Sequence, residues 1–451
     1  MFGPLVLFAK ELRPELWADY MGAYASEARG MYADAFGQNV AGWKRVGEKG
    51  AGDDGSPKLF TALENDDHLT VSSVSGSARK LTVKRSQTLA KTLRKVSDER
   101  PGSSSNADSR ATATGLSHGE VFARAMNEMA PLIRTEQNFI IDLFHASSLN
   151  NTDFLDACAA ATPEARTGTD LVKSRPVDPD REMARRVTGM MEEIFAFFTN
   201  ELLRLLDWSV SLDPIQGVGV MTSLSRHGFY LQDSGQDFLL QLIETLNLKL
   251  NTLFTSFVDD QVHAIEETKV KIKKRTGVIG IMRVFPEFSA AVEGVFHAVG
   301  MKDYEIEAAC LADVRTKVDA AMERVNRALF DVLMAIAKEG PGAHSSNPSS
   351  RLARAGSIVG AGGGATDDPE DKDSLYSHVL VIENMNHYLE RVDDGGMKAG
   401  VLARWKGRAE RERGEAMEAY VAQVCSRPLG KVLVSTSSTI YQTHYQISSA
   451  D

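Results

Sequence analysis

The sequence predicts an all-α fold in which long helices pack along their length. Three observations predict it. Apolar residues recur at three- and four-residue steps along most of the chain. Two long segments hold that step at near-heptad spacing. Period-two runs of strand length are almost absent.

The elements follow in order. Between residues 12 and 46 an aromatic stripe, Trp17, Tyr20, Tyr24, Met31, Tyr32, Phe36 and Trp43, marks the first long helix. From 121 to 145 Phe122, Ala125, Met126, Met129, Leu132, Ile133, Phe139, Ile140, Leu143 and Phe144 form a second apolar face. A third, from 183 to 206, carries Met183, Val187, Met190, Met191, Ile194, Phe198, Leu202, Leu205 and Leu206. Leu239, Ile243, Leu246, Leu250, Leu253 and Phe257 step by near-heptads, as do Val314, Val318, Ala321, Val325, Ala328, Val332 and Ala335. Such seams suit helices packed at a shallow angle along their length. A further helix carries Leu375, Val379, Ile382, Met385, Leu389 and Val392.

Composition shifts set the expected boundaries. Residues 1–96 are an N-terminal helical segment holding an acidic, Gly-rich loop (47–78) and a basic stretch (79–95). A Ser-rich linker covers 97–118, the main helical bundles 119–338, a disordered insertion 339–373, the C-terminal helices 374–430 and an irregular Ser/Thr-rich tail 431–451.

With 451 residues, 43% of them hydrophobic and 25% charged, the chain has material for several cores. Its net charge of −10 argues against general nucleic-acid binding. Cys158, Cys310 and Cys425 lie too far apart in sequence for a disulfide framework or a paired zinc motif, which fits a reducing, cytosolic setting. No window approaches the length of a spanning helix, and "MFGPLVLFAKEL" lacks the basic region and cleavage site of a signal peptide.

Motifs of chemistry fail their context tests. "IVGAGGGA" (358–365) contains Gly-x-Gly-x-x-Ala, but no strand precedes it and no helix pattern follows, so it reads as a Gly-rich loop. His145, His227, His263, His297, His378 and His387 show no metal spacing; His145 reads as a core or helix-end residue. Cys158 is expected to be a buried small hydrophobe. Glu192/Glu193 and Glu266/Glu267 read as solvated helix faces. No catalytic residue, cofactor or metal is expected.

One segment stands apart. "RKLTVKRSQTLAKTLRK" brings Arg79, Lys80, Lys84, Arg85, Lys91, Arg94 and Lys95 together without an acid, leaving the remainder at −17. A second cluster, Lys269, Lys271, Lys273, Lys274 and Arg275, sits where a long helix ends, where cations suit the helix dipole. The first stretch reads either as a solvated, partly disordered arm or as a contact; two basic patches on an acidic chain fit an anionic membrane or an acidic partner, at ~1 kcal/mol per basic residue near a charged bilayer. Thr82, Ser86 and Thr88 lie among these cations, where phosphorylation would erase the charge.

The ordered set "PLVLFAKELRPELWADYMGAYASEARGMYADAF", "ARKLTVKRSQTLAKTLRK", "MAPLIRTEQNFIIDLFHASS", "KKRTGVIGIMRVFPEF" and "VIENMNHYLE" resembles the C-terminal helical region of exocyst complex component one, the Sec-three subunit family, in its fungal form. "RTEQNFIIDLFH" and "IENMNHYLE" carry the resemblance most specifically. It implies a non-enzymatic subunit of a complex that holds secretory vesicles at the plasma membrane, built all-α as an elongated rod of stacked helical bundles of the tethering-complex type. Its partners would be other exocyst subunits and anionic plasma-membrane lipids, with no nucleic acid and no small-molecule substrate. Its place would be the cytoplasm, peripheral to sites of secretion. A subunit of a related rod-like tether at Golgi or endosomal membranes is the alternative. The resemblance begins downstream of the family's phosphoinositide- and GTPase-binding domain and its coiled coil, so those activities do not carry over. After "RPLGK" (427–431) the tail replaces the helical sequence expected next.

Overall fold

The computed structural model describes residues 2–50, 59–63, 116–149, 153–159, 170–271, 277–298, 304–338, 369–394 and 401–448. Among them the chain forms twelve α-helices and one 3₁₀ turn, with no strand. The helices are α1 (Gly3–Leu12), α2 (Pro14–Gly50), α3 (His118–Leu143), α4 (Phe154–Ala159), α5 (Arg181–Ile194), α6 (Ala196–Leu212), α7 (Gln216–Leu231), α8 (Asp237–Lys271), α9 (Gly280–Ala298), α10 (Tyr304–Lys338), α11 (Pro369–Asp394) and α12 (Val401–Ser448); the turn is Phe60–Ala62. They divide into two compact units. Unit 1 holds Met1–Gly55, Thr92–Phe257 and Val292–Val318; unit 2 holds Ser56–Lys91, Val258–Ala291 and Asp319–Asp451.

In unit 1, α3 is the central helix and packs against α1, α2, α5, α6 and α7. It starts at a capping box. The Ser117 hydroxyl accepts the Glu120 N–H (3.2 Å) and the Glu120 carboxylate accepts the Ser117 N–H (2.7 Å), so two N–H groups without helical partners are satisfied. Gly119 permits a close approach to α7: a Cβ there would lie 2.8 Å from Gln216 Oε1 and 3.2 Å from the Gln216 carbonyl oxygen. The expected apolar face of α3 is buried at Phe122, Ala125, Met126, Met129, Ile133 and Ile140, whereas Leu132 points to solvent.

The apolar run 183–206 is two helices. The chain leaves helical geometry at Phe195 (φ −102°, ψ 21°), which divides α5 from α6. Phe195 is fully buried, with ring centroids 4.9 Å from Tyr32 and 5.8 Å from Phe238. The heptad seam of α8 is buried at Leu239, Ile243, Leu246, Leu250 and Phe257, and that of α10 at Val314, Val318, Val325, Ala328 and Val332.

Several expectations change. Tyr20 and Met31 belong to the aromatic stripe of α2 but are exposed, because a stripe over so long a helix is wider than the face its neighbours cover. Cys158 is exposed, since α4 is too short to bury any of its residues. Phe60, inside the expected loop 47–78, is buried; it packs on Phe288 (5.4 Å between centroids) and its N–H donates to Gln261 Oε1 (2.9 Å). The Gly-rich composition around it conceals one apolar anchor. Residues 431–448, expected to be irregular, continue α12; beyond Gly430 no glycine or proline interrupts, and an established helix gains one hydrogen bond for each residue it adds. Helix α11 likewise begins at Pro369, inside the expected insertion, and the Gly-rich motif 358–365 lies outside the described residues.

Phe195→Ala removes an aromatic wedge from a site that other rings already fill. It is expected to cost about 4 kcal/mol of unit 1 stability, read as a lower urea midpoint with the m-value unchanged.

Candidate functional site

The two stretches that carry the resemblance most specifically are both buried polar hubs. In unit 1, consecutive residues of α3, Glu136, Gln137 and Asn138, are all buried. Around Glu136–Asn138 the helix is enclosed and has no solvent face, so each polar side chain ties down a different segment. Glu136 accepts the hydroxyls of Tyr24 (2.5 Å) and Tyr32 (2.8 Å) from α2. Gln137 Nε2 donates to the Gly235 carbonyl (2.5 Å). Asn138 Nδ2 donates to the carbonyls of Leu171 (2.6 Å) and Lys173 (3.0 Å). One turn on, Asp142 pairs with Arg175. The segment 170–180 is thus strapped along α3.

The strap is also held at its far end. Asp178 accepts from the hydroxyls of Ser147 and Ser148 and from the N–H groups of Ser148 and Asp180. Partial burial pushes this carboxyl upward, but those hydrogen bonds outweigh it and hold it below the usual carboxylate range. His145 closes α3 in the left-handed region (φ 49°), half-buried, with Nε2 3.1 Å from the Gly3 carbonyl. Burial lowers its proton affinity, and its own carbonyl accepts from Lys10 Nζ (2.7 Å).

The hub of unit 2 is "IENMNHYLE" on α11. Asn384 is fully buried. Its Oδ1 accepts the Ile279 N–H (2.9 Å), and its Nδ2 donates to the carbonyls of Gly277 (3.1 Å) and Leu380 (2.7 Å). Gly277 has φ +82°, a conformation only glycine adopts cheaply, and its N–H donates to Glu383 (3.0 Å). Tyr388 stacks on Phe285 (5.3 Å, 18°), meets Phe330 edge-on (5.3 Å, 87°) and donates its hydroxyl to Asn326 Oδ1 (2.8 Å). Trp405 of α12 completes the aromatic group against Phe330 and donates Nε1–H to Glu323 (2.9 Å). "VIGIMRVFPEF" and "IENMNHYLE", far apart in sequence, therefore meet in space.

A pocket of about 280 Å³ opens in unit 1 beside the strap. Its polar lining includes Gln137, Asp142, His145, Arg175, Asp178 and Asp237; Ile141, Val177 and Val187 supply apolar wall. Gln137 Oε1 and Asp142 Oδ2 are buried there without a hydrogen-bond partner among the described residues, and Gln236 in the adjoining turn has neither amide atom paired. His145 was read from the sequence as a core or helix-end residue, as it is; the other polar residues were missed, because sequence reasoning treats polar helix positions as solvated. Their phase was the available signal: Asn384 stands beside Met385, a member of the α11 seam.

The basic residues singled out in the sequence are placed differently. Arg79, Lys80, Lys84, Arg85, Lys91, Arg94 and Lys95 lie outside the described residues, as do Lys273, Lys274 and Arg275; Lys271 is the last residue of α8. Among the described residues no group of three or more His, Cys, Asp or Glu could hold a metal ion, and no helix is long and apolar enough to cross a membrane.

Two measurements check the hubs. Asn384→Ala strands the Ile279 N–H and the Gly277 carbonyl. It is expected to cost about 3 kcal/mol and to speed amide exchange over 279–288 roughly a hundredfold. The tyrosine hydroxyls give a pH signature. Burial, then hydrogen bonding to Glu136, raises Tyr24 and Tyr32, and burial raises Tyr388, all above the ordinary phenol value of 10.0. Because the folded-state values are raised, this stability is fully present below the unfolded value of 10.0 and is lost as pH rises from there through the folded values. Phenolate absorbance at 295 nm should therefore leave three tyrosines un-ionised until alkaline unfolding, and two in a Tyr388→Phe variant.

Comparison with known proteins follows this geometry. The family model "Exocyst complex component Sec3, C-terminal" matches residues 143–438, from the end of α3 into α12. The chain is 21% identical over 375 residues to "Exocyst complex component 1" of Mus musculus, covering 80% of this chain and 36% of the relative. It is 20% identical over 331 residues to the Drosophila melanogaster protein of the same name, covering 71% of this chain and 32% of the relative. The chain thus spans about a third of the length of these relatives. No solved structure matches it. The family model covers well over half of the chain, including the Asn384 hub, and the chain belongs to the family of C-terminal regions of the exocyst component Sec3.

Proposed function

We propose that the chain serves as a non-catalytic subunit of the exocyst, helping to hold secretory vesicles at the plasma membrane before fusion. The family match over residues 143–438 carries this reading and favours the exocyst over a Golgi or endosomal tether. Helical units whose cores are fixed by internal polar hubs leave their outer faces available for other proteins. Exposed apolar side chains stand at the N-cap of α1 (Phe2), on α1 (Leu5, Leu12) and at the start of α2 (Leu16), groups of the kind that mark protein contacts.

The partners in this reading are the other exocyst subunits, and the place of action is the cytoplasmic face of the plasma membrane. The basic stretch 79–95, with Lys271, Lys273, Lys274 and Arg275, contacts anionic lipid there. At ~1 kcal/mol per basic residue, four cations suffice to bring a cytosolic segment to an acidic bilayer.

Affinity purification of the tagged chain from its own cells should recover several other exocyst subunits in near-equal amounts; recovery of the chain alone would sink the subunit reading. Reversing the charge of Lys84, Arg85, Lys91 and Arg94 should weaken sedimentation with phosphatidylserine vesicles about a hundredfold or more. Unchanged sedimentation would assign the stretch to an acidic protein or to none.

A further inference from the structure

One face of α1 is apolar and uncovered. Leu5 and Leu12 are 65% and 61% exposed, and Phe8 between them is 42% exposed. Leu5 and Leu12 stand two turns apart and Phe8 lies one turn from each, so the three share one face. The remainder of the helix is fixed to unit 1: Leu7 and Ala9 are buried, and Lys10 Nζ donates to the His145 carbonyl (2.7 Å). Helix α4 lies alongside. Phe8 meets Phe154 edge-on (5.2 Å between centroids, 63°), and the Phe154 N–H donates to Glu11 Oε1 (2.8 Å). This six-residue helix buries none of its residues, and Leu155 is 74% exposed. So short a helix is unstable without packing. Together α1 and α4 form an apolar surface left open among the described residues.

The charges around this surface narrow the choice of occupant. Glu11, Glu15, Asp153 and Asp156 are exposed on and beside these helices, against the exposed guanidinium of Arg13. Lys10 is committed to the His145 carbonyl, and Arg186, near Trp17 at the start of α2, pairs with Glu182. An anionic bilayer would therefore meet like charge. A second copy of the chain, docked through the same patch, would set these carboxylates against themselves. A helix with apolar residues on one face and cations on its flanks meets both the apolar and the acidic demand. The spacing fits as well: the two turns of α1 between Leu5 and Leu12 match one heptad of a facing helix.

We propose that the α1–α4 surface docks a basic amphipathic helix of a partner protein. The apolar face of that helix covers Leu5, Phe8, Leu12 and Leu155, and its lysines or arginines face Glu11, Asp153 and Asp156. The identity of the partner as another subunit rests on the function proposed above; the chemistry of the surface does not.

The test has two arms. In the first, fluorescence anisotropy follows a designed helical peptide of about three heptads, leucine at a and d and lysine elsewhere, on the purified full chain. A counterpart carries glutamate in place of lysine. Binding of the lysine peptide and not of the glutamate peptide is expected. Leu12→Ser and Leu155→Ser should each weaken it about tenfold, and Asp156→Lys about tenfold, while Glu192→Lys on α5 leaves it unchanged. All four positions are exposed, and circular dichroism shows that each variant is folded. Equal binding of the two peptides, or binding indifferent to both leucine variants, overturns the surface. In the second arm, benzoylphenylalanine at position 155 of the tagged chain captures its neighbour by light in cells, and mass spectrometry identifies the attached peptide. A basic, leucine-rich helical segment of another polypeptide is the expected adduct. Attachment to a second copy, to lipid or to a segment of the same polypeptide, or no adduct at all, overturns the partner. If no exocyst subunit co-purifies with the chain, the subunit reading fails, and the adduct still decides the docking surface.

Discussion

Unit 1 depends on one constraint: its central helix is enclosed around residues 136–138, and its sequence places three consecutive polar residues there. Glu136, Gln137 and Asn138 point in different directions around α3 and bind α2, the 235 turn and the 170–180 strap. A buried polar group without a partner costs more than a satisfied one contributes. The arrangement therefore discriminates among packings more strongly than it adds stability. Apolar burial at Phe122, Met126, Ile133 and Phe195 supplies the driving force, at about 1.5–3 kcal/mol per large side chain. The polar residues decide which segments lie against which.

Unit 2 solves the same problem with one residue. Asn384 grips the chain at Gly277 and Ile279, where the left-handed glycine turns the backbone into α9. Tyr388, one turn further along α11, extends the grip through its hydroxyl to Asn326 on α10 and through its ring to Phe285 and Phe330. A polar anchor and an aromatic plate on the same helix thereby join three elements. Each unit is consequently ordered by a short stretch of a single helix.

Much of this architecture was legible in the sequence. The helical period placed the core faces of α3, α8 and α10, because apolar spacing reports burial directly. It failed where burial depends on neighbours distant in sequence. Tyr20 and Met31 continue the stripe of α2 but are exposed, and Phe60 is buried inside a stretch whose composition reads as loop. The polar hubs were invisible as sites because the energetics of an asparagine depend on whether it is enclosed, which periodicity alone does not report. The stretches nevertheless stood out as the most specific for the family, and the structure supplies the physical reason: both are places where many contacts converge. The pocket was not legible, since Gln137, Arg175 and Asp237 come together only through the tertiary fold.

The hubs bind mostly main-chain atoms. Asn384 recognises the carbonyl of Gly277 and the N–H of Ile279, and Asn138 the carbonyls of Leu171 and Lys173. Every residue type offers that carbonyl, and every one but proline offers that N–H. Apart from Gly277, whose left-handed backbone calls for glycine, the recognised segments can change their side chains, provided their path is kept, while the asparagine holds the contact. Such an anchor concentrates its informational demand in one partner and requires no compensating pairs of substitutions. A fold held this way can drift far in sequence while its signature shrinks to a few short words.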